Sequence, residues 1–417
     1  MSYLFSQKFS MSVPSGKQNL LFTLILCFSI ALCSSLNAQI NFNSETGLTP
    51  DSSAGHLWGY AYGDFYYKAH GDSLARGGDN QYTGIPQKRN AFILSHISLG
   101  YSYKITKKFS ADLLLAAVNN ANTTSVNGIA TGGDLLSNNK LSFYIKYANI
   151  RWKNIWKNTD LLLGQVSTPS FSLLTNKIWL YRTIEKTIAD IRNTPSYDLG
   201  VTIRGKFNDE GNSGYDLMVG NGTGARPEND NFKWFYGDVY AMFLDKKLVF
   251  DLYADYTRID WKQDFHHARN MVKAFVAYTT PGLTIGIETF INHGKNDVVG
   301  INRNLKDTTN ASAIGISTYI HGNIIKNKLR FFARFDTYNP DTKYNMNVFT
   351  KYIGFTPAYE PNNKEIFITT GLDFAPDKNI HFLPNIWYVR YKGQQSTNSD
   401  IDHDLVYRAT FYFEFGR

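Results

Sequence analysis

Several stretches of the sequence hold residue types capable of chemistry, and most of them fail on spacing. His266 and His267 offer two imidazoles for a metal ion. Adjacent positions on a strand point to opposite faces, and no cysteine or carboxylate cluster accompanies the pair, so the expectation is a solvated loop tip. The stretch NDEGNSGYD has acids and glycines like a calcium loop, but lacks its spacing and its closing glutamate, and reads as a polar turn. GNGTGA has no third glycine at the dinucleotide-binding spacing, and no helix follows, so a strand end and loop are expected. No nucleophile elbow and no His-Glu metal helix is present. The sequence therefore calls for no catalytic residue, no metal and no cofactor.

What remains is charge placed at regular intervals. LLTNKIWLYRTIEKTIADIRNTP carries Lys177, Arg182, Lys186 and Arg192 against Glu185 and Asp190. Elsewhere Arg204, Asp251, Asp255, Lys273, Glu288, Arg330, Arg334, Asp373 and Arg408 alternate with apolar residues. Ionised groups held around a narrow aqueous space decide which ions pass. The plain alternative for the first stretch is a mixed-charge surface loop whose apolar residues pack on neighbours.

The elements that must position these charges are strands. In HDLVYRATFYFEFGR, one face is Tyr407, Ala409, Phe411, Phe413 and Phe415, and the other is Arg408, Thr410, Tyr412 and Glu414. This is the period of a strand, not of a helix. Leu248, Phe250, Leu252 and Ala254 likewise alternate with Asp251, Tyr253 and Asp255. Strands are expected near 57–68, 91–104, 108–118, 141–152, 160–167, 197–206, 214–221, 232–244, 247–258, 268–279, 282–292, 311–322, 328–338, 365–374, 379–391 and 403–415. That is about sixteen, an even number, as bacterial outer-membrane barrels have. Pro384 marks a bulge or an edge, because proline cannot donate to a ladder.

Connections alternate in length. Short ones such as KITKK, WKNIWKNT, NDEGNS, LDKK, TTPG, NIIKNK and APDKN separate long ones at 69–90, 119–140, 168–196, 222–231, 259–267, 293–310, 339–363 and 392–402. Short turns on one rim and long loops on the other are the outer-membrane pattern, which a soluble sandwich has no reason to follow. The expected fold class is an all-β transmembrane antiparallel barrel, with periplasmic turns and extracellular loops. Its phenylalanines would face lipid and its charges water.

The first residues read as a secretory signal. Lys17 supplies the basic segment, Leu20 to Leu32 the apolar one, and cleavage is expected after Ala38. That divides the chain into a signal at 1–38, a periplasmic segment at 39–56 and a barrel at 57–417. Cys27 and Cys33 lie in the removed part, so the mature chain has no cysteine. A secreted protein without disulfides must be held otherwise, and a closed ladder does this. The net charge is +8, but lysine and arginine are scattered through short turns, and no basic stripe or nucleic-acid motif gathers them. Nucleic acid is therefore not expected as a partner.

Four stretches resemble the phosphate-selective porin O and P family of Gram-negative outer membranes. They are ISLGYSYKITKKFSADLLLA, YIKYANIRWKNIWKNTDLLLGQVSTPSF, YDLGVTIRGKF and YDLMVGNGTG, together covering roughly residues 91–224. The resemblance implies a water-filled channel, commonly trimeric, with a long third loop folded into the lumen. Here the third long connection, 168–196, would be that loop. The family's dense arginine ladder is missing, since the lumenal arginines are interleaved with acids. The expectation is thus a general diffusion channel in the cell outer membrane for small hydrophilic solutes, weakly anion-preferring. Its expected partners are outer-membrane lipid, solutes or ions, and, through the C-terminal strand, the barrel assembly machinery. The alternatives are a non-channel barrel with a structural or secretion-associated role, and a barrel lipid hydrolase built from scattered strand residues.

Overall fold

A computed structural model describes residues 55–76, 80–118, 125–126, 129–130, 143–172, 174–192, 195–228, 230–260, 266–302, 305–344, 351–355, 363–394 and 401–416. The expected signal and nearly all of the segment at 39–56 lie outside them. The strands are β1 (Gly55–His70), β2 (Asn90–Lys104), β3 (Phe109–Val118), β4 (Ser125–Val126), β5 (Ile129–Ala130), β6 (Tyr144–Trp156), β7 (Thr159–Ser167), β8 (Tyr197–Lys206), β9 (Ser213–Gly220) and β10 (Trp234–Phe243). They continue as β11 (Leu248–Asp260), β12 (His266–Thr279), β13 (Leu283–Asn302), β14 (Leu305–Ile325), β15 (Leu329–Asn339), β16 (Lys351–Phe355), β17 (Asn363–Asp377), β18 (Ile380–Gly393) and β19 (Ile401–Phe415). Each long strand pairs antiparallel with its neighbours, and β1 pairs with β19. The result is a closed barrel of sixteen strands. β4 and β5 form a separate two-stranded ribbon, and β16 lies against one end of β13.

Burial follows the alternation of the sequence. On β11, Leu252 is 56% exposed on the outside while Asp251 is 2% exposed on the inside. The outer surface carries Ile285, Ile287, Ile291, Phe413 and Phe415. Acids, bases and hydroxyls face inward and are buried there. A soluble protein would reverse these faces; hydrocarbon outside requires this arrangement. The core is therefore the barrel's own interior.

The closing seam is shaped by glycine. Gly59 pairs with Phe415 and Gly63 with Phe411. A Cβ at Gly59 would come within 2.5 Å of the Phe415 ring, and one at Gly63 within 2.7 Å of the Phe411 ring and 2.3 Å of the Ile93 carbonyl oxygen. The late aromatics of β19 thus occupy space that the glycines of β1 leave open.

Several boundaries differ from the sequence expectation. The stretch 293–310 is not a loop: β13 and β14 run 20 and 21 residues and form a long hairpin, with β16 added along β13. Polar side chains there do not prevent ladder pairing, because backbone groups can satisfy one another in water as well as in lipid. For the same reason His266 and His267 are not at a loop tip. They open β12, opposite Asp260 and Ile259, and His267 is buried. WKNIWKNT is mostly strand, with only Lys157 and Asn158 between β6 and β7. β1 begins at Gly55 and so takes in the last two residues of the segment expected to precede the barrel. Pro384 lies within β18, where β17–β18 pairing is interrupted between Gly371–Asn385 and Phe374–Phe382.

Candidate functional site in the barrel interior

The connection after β7 turns into the barrel. Three short helices, Pro169–Ser172, Thr175–Trp179 and Ile188–Ile191, carry it. Leu174, Ile178, Trp179, Tyr181 and Ile184 pack on the inward residues Met242, Val249, Phe275, Tyr319, Phe332 and Leu383 of the wall. Ile188 and Ala189 continue this contact against Tyr253, Met271, Phe290 and Tyr338. Trp179 is fully buried, with its ring 4.9 Å from that of Tyr319, and its indole N–H donates to the Glu185 carbonyl at 2.9 Å. Burial of aromatic and branched side chains provides the drive for the connection to enter a polar lumen.

Polar groups of the wall then fix its path. Arg408 of β19 donates to the Ile184 carbonyl at 2.9 Å and to Asp64 of β1 at 2.8 Å. Arg334 of β15 donates to the Lys186 carbonyl at 2.5 Å and holds Asp336 at 2.6 Å. Glu288 of β13 accepts the Ala189 N–H at 3.1 Å. His321 of β14 lies 2.8 Å from the Ile178 carbonyl. Trp387 of β18 donates to Glu185 at 3.2 Å, and Tyr181 donates to Asp373 of β17 at 3.2 Å. Buried charges demand such partners, because each one left alone would carry its full desolvation cost.

Each charge singled out in the sequence has a definite position. Arg204 and Arg330 face inward and are half-buried; Asp251, Asp255, Lys273, Glu288, Arg334, Asp373 and Arg408 face inward and are buried. Lys273 pairs with Asp251 at 2.9 Å and Arg204 with Asp216 at 2.6 Å. Asp255 accepts from the Tyr253 hydroxyl at 2.7 Å. Arg330 lies over the Tyr181 ring at 6.0 Å. On the inward connection, Arg182 pairs with Asp190, and Arg192 reaches Glu365 of β17 at 2.5 Å. Glu185, Asp190 and Arg192 are buried, Lys177 and Arg182 partly exposed, and Lys186 exposed.

A second inward segment was not foreseen from the sequence. Part of the connection between β1 and β2, treated there as an ordinary loop, enters the barrel as well. Tyr82 is 1% exposed and donates to Asp64 at 3.2 Å. Asn80 donates to Glu365 at 3.0 Å, and Lys68 donates to the Tyr82 carbonyl at 2.8 Å. Tyr82 and Ile85 pack with Tyr66, Phe367, Trp387 and Val406. The signal, in retrospect, is an aromatic and a branched residue inside an otherwise polar loop. Where the two segments meet, Asn80, Ile188, Arg192 and Glu365 border a cavity of about 10 Å³, room for about one water. Lumenal charges with more solvent access lie on β6, β7 and β8: Arg151 at 15%, Asp160 at 28% and Arg204 at 14%.

No family model and no curated protein sequence matches the chain. Solved structures do. They include the outer membrane channel DcaP of Acinetobacter baumannii, with a TM-score of 0.57 at 9% identity, covering 87% of this chain and 97% of that one. OprB of Pseudomonas putida gives 0.55 at 10% identity, covering 87% and 94%. OmpF of Salmonella typhi gives 0.54 at 10% identity, covering 87% and 97%. Likeness at this identity shows a shared barrel architecture.

Proposed function

We propose that the protein is an outer-membrane channel of the porin type, through which small hydrophilic solutes diffuse with a weak preference for anions. The observation that carries this reading is how charge is sorted on the inward connection. Its acids Glu185 and Asp190 are buried, Lys186 is exposed, and Lys177 and Arg182 are partly so. Bases therefore hold the positions that meet water. Arg192 is buried against Glu365 and adds little to the field a solute would meet. Wall charges with solvent access are mostly paired, Arg151 with Asp160 and Arg204 with the buried Asp216, while the half-buried Arg330 lies over the Tyr181 ring. Charges act over about 8 Å at physiological salt, so a small excess at a narrow point outweighs a balanced wall.

The same reading places the protein in the outer membrane after export through its N-terminal signal. The sequence resemblance to phosphate-selective porins spans β2 to β9, but acids interleave with the arginines, which supports general passage over phosphate selection. A homotrimer belongs to the proposal; OmpT of Vibrio cholerae, which shares the fold at a TM-score of 0.51, is described in a trimer form. The test is the reversal potential across a KCl gradient in a planar bilayer. Arg182→Glu with Lys186→Glu should move it toward cations. A strongly cation-selective wild type, or no shift in the variant, would remove this connection from the mechanism.

A second reading, a non-channel barrel with a structural or secretion-associated role, is favoured by one feature. Two segments enter the lumen, with Trp179 and Tyr82 fully buried between them and the wall. Folded protein that inserts into bilayers and never conducts would support it. Release of fatty acid from lipid would point instead to a hydrolase.

A further inference from the structure

The strand that closes the barrel brings together three residues that the channel reading does not use. His70 ends β1, and Asp402 and His403 open β19, on the rim that carries the long connections. The β1–β19 ladder shifts register between Lys68 and His70. The shift sets the His70 ring against that of His403, with centroids 4.0 Å apart and planes within 5°. Asp402 Oδ1 lies 3.7 Å from Nδ1 of each histidine. One ligand atom from each of the three residues lies within 4.8 Å of the others.

The surroundings orient these groups. Asp402 accepts the backbone N–H of Ser73 and that of His403, both at 2.8 Å, which fixes the orientation of the carboxylate. His70 Nδ1 lies 2.8 Å from the His403 carbonyl. A carbonyl only accepts, so Nδ1 is the donor there and Nε2 is the ring nitrogen left to face an ion. Such outer hydrogen bonds orient metal-binding imidazoles and carboxylates. The neighbouring acids are engaged elsewhere: Asp72 holds Arg76 at 2.7 Å and Asp404 holds Lys68 at 2.9 Å. His70, His403 and Asp402 keep 36%, 34% and 21% of their side-chain exposure, which leaves room for an ion to enter and for water to complete its shell.

We propose that His70, Asp402 and His403 form a binding site for one divalent transition-metal ion. Two imidazoles and a carboxylate suit zinc, copper or nickel, whereas calcium and magnesium prefer oxygen donors alone. One ring must swing out of the stack so that the ion lies in the plane of both. The bound ion would join β1 to β19 and, through Ser73, to the entry of the inward segment between β1 and β2.

The experiment uses the full barrel folded in detergent and titrated with zinc chloride by calorimetry, with calcium chloride in parallel. Wild type should bind one zinc at this site, and calcium should not compete. The double variant His70→Gln/His403→Gln should weaken zinc at least tenfold, and Asp402→Asn should do so with both imidazoles in place. Zinc should also raise the urea midpoint of wild type and leave that of the double variant unchanged. No zinc binding in wild type overturns the proposal. So does unchanged zinc affinity in either variant, which would place the ion at other histidines such as His293 or His381. Should the double variant not fold, Asp402→Asn alone decides.

Discussion

Arg408 ties three parts of the molecule together, and its removal can be worked through. Its guanidinium is fully buried and makes two hydrogen bonds to Asp64 Oδ1, at 3.2 and 2.8 Å, and one to the Ile184 carbonyl at 2.9 Å. It also lies over the Tyr82 ring at 5.2 Å. Arg408→Met keeps much of the volume and deletes the charge. Asp64 would still accept from Tyr82, Ser95 and Thr410, but as a buried carboxylate with its cation gone. Breaking such a pair from one side costs about 3–5 kcal/mol. Replacing both partners, Arg408→Met with Asp64→Leu, removes the stranded charge and should recover about half or more of that loss. The assay is urea unfolding of the barrel in lipid vesicles, followed by tryptophan fluorescence. A second readout separates anchoring from charge. Both variants lose the bond to Ile184, so both should loosen the inward connection and raise single-channel conductance. A single variant that loses less than about 1 kcal/mol, or a double variant no more stable than the single, would refute the assignment of Arg408 as a paired buried charge.

Further outcomes follow from the same geometry. Trp179→Ala empties the main apolar anchor of the connection and should cost about 3–5 kcal/mol, with noisier conductance in bilayer recordings. Gly63→Ala places a Cβ against the Ile93 carbonyl and the Phe411 ring, and should destabilise the seam by about 1–3 kcal/mol. Adding Phe411→Ala should not restore it, because the carbonyl clash remains; full recovery in a heat-modifiability gel would contradict this. Ile287→Lys, facing lipid, should cost about 2–4 kcal/mol if it lies near the bilayer midplane, whereas Ile287→Val should cost under about 1.5.

How much of this was legible in the sequence depends on range. The two faces of each strand could be read directly, because side chains alternate with a fixed period of two, and burial follows that period. Loop-length alternation then distinguished a barrel from a sandwich. Strand ends were less legible: the long β13–β14 hairpin and the pairing of His266 and His267 continue where polarity suggested loops, since polarity describes side chains and pairing belongs to the backbone. The aromatic residues of 168–196 marked it as a segment able to pack inward, but not which wall would receive it.

The sequence by itself determined the chemistry of the two faces and the approximate number of strands. Only the tertiary structure decided who meets whom. Asp64 and Arg408 are joined across 344 positions, and His70 meets Asp402 and His403 only because the last strand closes on the first. Local periodicity carries no information about such partners. Barrel closure and a one-residue register shift bring them together, and these are properties of the whole ladder.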